Sequence, residues 1–200
     1  MTETQIFEPD GRTIPYAAEG DGPALVLIAD RGSDIDLLGS LSHSVSQEDF
    51  RVVRIGVRAD ASANELAQDV VDVMDHLGLT AAWVGGHAFG GSVARQVSLD
   101  HHDRVNGVLL LGVEAADVAP PLADGLPVLV VQGTEDDVTP PANGEALQAA
   151  APGLVSVVPI EGGGHLFPST HVGATSWAIE DYLDCCLFST TDAADDLHCA

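Results

Sequence analysis

Two kinds of apolar pattern alternate along this chain. Short continuous runs, such as Ala24-Leu-Val-Leu-Ile-Ala29, predict strands buried on both faces. Between them lie segments of helical period. Ser62-Ala-Asn-Glu65 is a capping-box pattern, and Leu66, Val70, Met74 and Leu77 follow at helical spacing. Gly78 stands where a C-terminal cap belongs, so a helix is expected over Asn64–Leu77. The same reading gives strands at Thr13–Ala17, Val52–Gly56, Ala82–Gly86, Val105–Gly112, Pro127–Gln132 and Leu154–Ile160. It gives further helices at Phe89–Asp100, Ala142–Ala150 and Val172–Leu183. Strands that alternate with helices imply an α/β domain, a mostly parallel sheet flanked by helices on both faces. We expect one such domain over residues 1–184. Residues 185–200 are polar and acidic, lose periodicity after Phe188 and read as a disordered tail.

Composition narrows the class. The 200 residues are 46% hydrophobic, enough to build one core and to exclude disorder throughout. No apolar run approaches the ~20 residues that span a bilayer. The acidic start has no apolar core of a secretion signal, which gives a cytoplasmic expectation. The formal charge is −24, and all seven bases are arginine. Such a surface repels phosphate backbones and anionic membranes, so neither nucleic acid nor membrane is an expected partner. A salt-adapted source or a high-GC bacterial code would both produce this bias, and the charge density leans toward the former. Cys185, Cys186 and Cys199 cluster at the C-terminal end, which excludes a disulfide framework or a C-x-x-C metal site. The adjacent pair reads as two unbridged thiols closing the last helix.

In a parallel sheet, chemistry sits at the carboxyl ends of the strands. Three such ends carry patterns here: Val84-Gly-Gly-His-Ala88-Phe-Gly-Gly91, Gly133-Thr-Glu-Asp136-Asp-Val-Thr-Pro140 and Gly162-Gly-Gly-His165-Leu-Phe-Pro168. They resemble, in order, the nucleophile elbow, the triad acid and the triad histidine of the α/β-hydrolase superfamily. The likeness covers roughly residues 13–184 and is nearest to small esterases and lactonases. It implies a single α/β-hydrolase domain with Asp136 and His165 as acid and base. It also implies an oxyanion hole from the backbone N–H groups of Arg31 and Phe89. Only Val113–Leu126 separates two strands between which many relatives insert a cap, so no cap domain and an open, shallow pocket are expected. No cofactor and no metal are implied.

The sequence departs from the family at defined places. The nucleophile position is Ala88, and a methyl group cannot attack a carbonyl. In serine hydrolases this loss costs about 10⁶-fold in turnover. The position of the family's His-Gly holds Ala29-Asp30, where a carboxylate would oppose a developing oxyanion unless Arg31 offsets it. In Gly56-Val-Arg58-Ala-Asp-Ala-Ser62 only the arginine of a D-x-R-G-x-G loop survives.

Competing assignments remain. Asp137 competes with Asp136, and His165 could be an ordinary surface histidine. His87 reads as a packing or hydrogen-bonding residue. Ser33 and Ser92 are weak substitute nucleophiles, and His101-His102 reads as a solvated turn. Three functions stay open. One is a pseudo-hydrolase, disabled at Ala88, that binds a small ester-like or apolar ligand. Another is a carboxylic-ester hydrolase whose natural residue 88 is serine. The last is an enzyme using the His165–Asp136 pair as a general base without a nucleophile.

Overall fold

The computed structural model describes residues 2–189; most of the acidic tail, including Cys199, lies outside them. Eight strands form one sheet in the order β1-β2-β4-β3-β5-β6-β7-β8. They are β1 (Gln5–Phe7), β2 (Ile14–Glu19), β3 (Ala24–Ile28), β4 (Arg51–Ile55), β5 (Ala82–His87), β6 (Val105–Leu111), β7 (Val128–Gly133) and β8 (Val155–Ile160). The first two strands run antiparallel, and from β4 across to β8 all pairs are parallel. Among the described residues six α-helices accompany them: α1 (Gly39–Ser46), α2 (Ala63–His76), α3 (Phe89–Asp100), α4 (Pro141–Ala150), α5 (Phe167–Thr170) and α6 (Val172–Ser189).

The continuous apolar runs produce this layering directly. Successive side chains of a strand point to opposite faces. In β3, Val26 and Ile28 pack into one core with α2 and α3, where Leu66, Val70, Val93 and Val97 meet them. Leu25 and Leu27 pack into the other with α1 and α6, where Leu41, Val45, Ile179 and Leu183 meet them. Each such side chain contributes about 1.5–3 kcal/mol when fully buried.

The capping box forms as the pattern requires. Ser62 Oγ accepts the Glu65 N–H, and Glu65 accepts the Ser62 N–H. Gly78 takes the positive φ that ends α2. On α2, buried Asp69 and half-buried Asp72 accept from Arg12, and Asp69 also accepts from Arg58. The arginine surviving from the family loop therefore fastens that loop to α2. No helix among the described residues is long and apolar enough to cross a membrane.

The structure differs from the sequence-based expectation in several places. Strand β1 and helices α1 and α5 carry no strong pattern and lie outside the expected elements. Helix α6 runs to Ser189, so residues 185–189, assigned to the tail, are helical. Cys185 is disulfide-bonded, against the reading of two unbridged thiols, while Cys186 keeps its thiol. Neighbouring helical positions point about 100° apart, so adjacency in sequence does not give two cysteines one environment.

Candidate active site

Strand β5 ends in a sharp turn into α3. Ala88 sits there at φ 46°, ψ −109°, a conformation that costs an L residue about 1–3 kcal/mol. Its N–H is held by the Leu111 carbonyl at 3.0 Å. The neighbouring glycines are required by close approach. A Cβ on Gly86 would lie 2.4 Å from the Gly90 carbonyl carbon, and one on Gly90 would lie 2.2 Å from the Ile28 oxygen. The elbow is thus fully built, and it presents a buried methyl group.

The residues expected as acid and base lie in the loops after β7 and β8. Asp136 is buried and Asp137 exposed, and it is Asp136 that faces His165. His165 Nδ1 lies 3.2 Å from both Asp136 carboxylate oxygens. The Thr139 and Val138 N–H groups donate to Asp136 Oδ1 at 2.9 Å, and the Thr139 hydroxyl donates to Oδ2 at 2.6 Å. Burial pushes this carboxyl up, but those hydrogen bonds outweigh it and hold it below its ordinary value. Asp136 is therefore an anion placed to accept a hydrogen bond from His165 Nδ1, which holds the ring with Nε2 turned away from it.

The expected oxyanion donors are engaged differently. Both the Arg31 N–H, at 2.8 Å, and the Phe89 N–H, at 3.2 Å, donate to Oδ1 of Asp30. The carboxylate thus lies where a reacting oxyanion would lie. Its other oxygen is 3.8 Å from His165 Nε2. The Arg31 guanidinium does not offset this charge directly. It donates to the Ala59 and Ala61 carbonyls and stacks 3.9 Å over the Phe89 ring.

His87, at the end of β5, packs its ring 4.6 Å from that of His165. Its Nε2 meets the His165 carbonyl oxygen at 2.8 Å, while Nδ1 is buried without a partner. Burial and the adjacent His165 push its basicity below the ordinary value, so the ring is neutral. The hydrogen bond fits the sequence reading of His87 as a packing or hydrogen-bonding residue, whereas the clustering of Asp30, His87 and His165 has no signal in the sequence. Each of these three offers a ligand atom within 4.8 Å of the others.

The remaining candidates lie elsewhere. Ser92 is buried and donates to Glu114 at 2.5 Å. His102 is exposed beside the Asp124 carbonyl. No helix stands between β6 and β7, as the short connection implied.

A family model described as "Alpha/beta hydrolase family" matches residues 38–171. A putative carbamate hydrolase, RutD, of Caulobacter segnis is 46% identical over 50 residues, which are 25% of this chain and 19% of that protein. A zearalenone hydrolase of Bionectria ochroleuca is 26% identical over 121 residues, covering 54% of this chain and 46% of that one. These matches span less than half the length of either relative. Among solved structures, a thermophilic esterase of Thermogutta terrifontis superposes with a TM-score of 0.79 at 17% identity, covering 92% of this chain and 99% of that chain. Est816, an N-acyl homoserine lactone degrading enzyme, does so at 0.75 and 22% identity, covering 89% and 100%. At these identities the likeness establishes the fold.

Proposed function

The chain belongs to the alpha/beta hydrolase family, and from that membership we propose that it is a pseudo-hydrolase whose serine-ester chemistry is disabled. One observation carries the reading. The elbow presents the methyl of Ala88, and both oxyanion donors face the Asp30 carboxylate. An ester carbonyl entering this site would meet no hydroxyl nucleophile. Its developing charge would compete with a fixed carboxylate for the same two N–H groups. The ligand class that fits is a small ester-like or apolar molecule held beside His165.

A second reading is favoured by the His165–Asp136 pair. Its geometry, 3.2 Å from Nδ1 to the carboxylate, leaves Nε2 able to take a proton from water or from an acidic C–H. Such an enzyme keeps its activity with Ala88 and loses it in His165→Ala.

The test is a fluorophosphonate probe and a short-chain activated ester, offered to the unaltered chain with a chelator present. We expect no covalent adduct and no turnover above that of His165→Ala. An adduct on any residue of the site overturns the pseudo-hydrolase. Turnover that His165→Ala abolishes, without an adduct, selects the general-base enzyme.

A further inference from the structure

We infer that Asp30, His87 and His165 form a binding site for one divalent transition-metal ion, of which zinc is the type. Three strand ends bring these residues together: β3 supplies Asp30, β5 supplies His87, and the loop after β8 supplies His165. One ligand atom of each lies within 4.8 Å of the other two.

The hydrogen bonds around the cluster fix what each residue offers. His165 sets Nδ1 against Asp136, which leaves Nε2 as the ring nitrogen open to a ligand. His87 meets a carbonyl through Nε2, which must donate there, so Nδ1 carries the lone pair. That Nδ1 is buried and has no partner. Asp30 has Oδ1 held by two N–H groups, which leaves Oδ2. Three potential ligand atoms therefore stand together, one of them a buried nitrogen with no partner. A cation resolves that arrangement. A proton shared between His165 Nε2 and Asp30 Oδ2 is the simplest alternative, but their 3.8 Å separation is too long for the hydrogen bond it would make.

The surroundings resemble a metal site more than an ion pair. Ligating histidines donate their second nitrogen to a carboxylate or a backbone carbonyl, and both kinds of partner occur here. Ligand atoms about 2.0–2.2 Å from a tetrahedral ion stand roughly 3.3–3.6 Å apart, so the set closes with shifts of about 1 Å. Asp30, whose side chain is 23% exposed, can make that shift. Two imidazoles and one carboxylate favour zinc or a similar ion over magnesium or calcium, which prefer oxygen alone. Three protein ligands leave a position for water or for an oxygen of a small ligand.

Titration of the unaltered, chelator-stripped chain with Zn²⁺, followed by calorimetry, tests the site, with Co²⁺ absorption as a report on geometry. We expect one ion per chain with micromolar or tighter affinity, and a Co²⁺ spectrum of the intense, low-coordinate kind. Asp30→Asn and His165→Ala should each weaken binding by at least about 10–100-fold. His102→Gln, a surface control, should not. Should His87→Gln fail to fold, the other two variants and the Co²⁺ spectrum still decide. The inference is overturned by affinity weaker than millimolar, by binding that both variants leave unchanged, or by a weak octahedral Co²⁺ spectrum. It goes beyond the pseudo-hydrolase reading and fails separately. A probe adduct removes that reading and leaves the ion in place, and absence of zinc binding leaves that reading intact.

Discussion

The two halves of the site have fared differently. On the β7–β8 side, every atom needed to orient a catalytic histidine is present, and Asp136 alone accepts hydrogen bonds from Val138, from Thr139 twice and from His165. On the β3–β5 side, the scaffold persists while the chemistry has changed. Ala88 keeps the strained elbow without a nucleophile, and Asp30 lies on the donors that should await an oxyanion. The contrast teaches that a backbone turn and the side chain it presents are set independently. Glycines that prevent clashes hold the turn whatever residue stands at position 88.

The largest expected effect rejoins the two halves. In Ala88→Ser, a hydroxyl returns to an intact elbow, but Asp30 still occupies the donors. We expect ester hydrolysis to rise only slightly. Adding Asp30→Ala should raise it by a further 10²–10³-fold or so, the usual value of an oxyanion donor. Steady-state turnover of the unaltered chain and of the two variants, with a chelator present, measures this. If Ala88→Ser alone matches the double variant, Asp30 moves aside readily and the halves differ only at residue 88. If neither variant turns over, the β7–β8 side is less complete than its hydrogen bonds suggest.

Much of this contrast was legible before any coordinates. Chain order brought forward Asp136, His165 and the elbow as candidates, because each follows a strand and lies in a turn that contains glycine. The helix at Phe89–Asp100 has the expected limits, since the elbow fixes its start. Helix α1 was not legible. Its sequence, Gly39-Ser-Leu-Ser-His-Ser-Val-Ser46, is half serine, which favours caps and turns over helix interiors. Tertiary burial of Leu41 and Val45 overrides that preference. The use of Asp30 was only half legible. Sequence showed a carboxylate beside the donors, but Asp30 and Phe89 are 59 positions apart, and only the fold brings them to 3.2 Å. The orphaned nitrogen of His87 has no sequence signal, because it depends on which atoms the fold leaves unpaired.

Stability gives the next test, with opposite signs in the two halves. Thr139→Val removes a 2.6 Å hydrogen bond to a buried carboxylate and should cost about 1–3 kcal/mol. Ala88→Gly relieves a positive φ and should gain about 1 kcal/mol, after allowing for the freer unfolded chain. Denaturant midpoints of both variants against the unaltered chain check the signs. A loss in Ala88→Gly would mean that the methyl gains more from packing than its backbone loses to strain.

The smallest effect is a dependence on pH that only one half should show. Asp136 is held below the ordinary carboxyl value of 3.8 in the folded chain, after burial has pushed it the other way. Its hydrogen bonds therefore stabilise the fold fully above that value, and the stabilisation drains away as pH falls through the lower, folded value. Thr139→Val removes one of the bonds that favour the anion, so its Asp136 should protonate at higher pH than in the unaltered chain. The gap between the two proteins should be widest near neutrality and should close in acid. Ala88→Gly changes no titrating atom and no hydrogen bond to one, so its gain should stay level over the same range. The charge of −24 acts on all three proteins alike and cancels in the differences. Unfolding curves recorded from neutral to strongly acid pH measure both trends. A Thr139→Val gap that stays parallel down to the lowest pH would show that Thr139 serves packing there and that His165 is oriented by something other than the anionic form of Asp136.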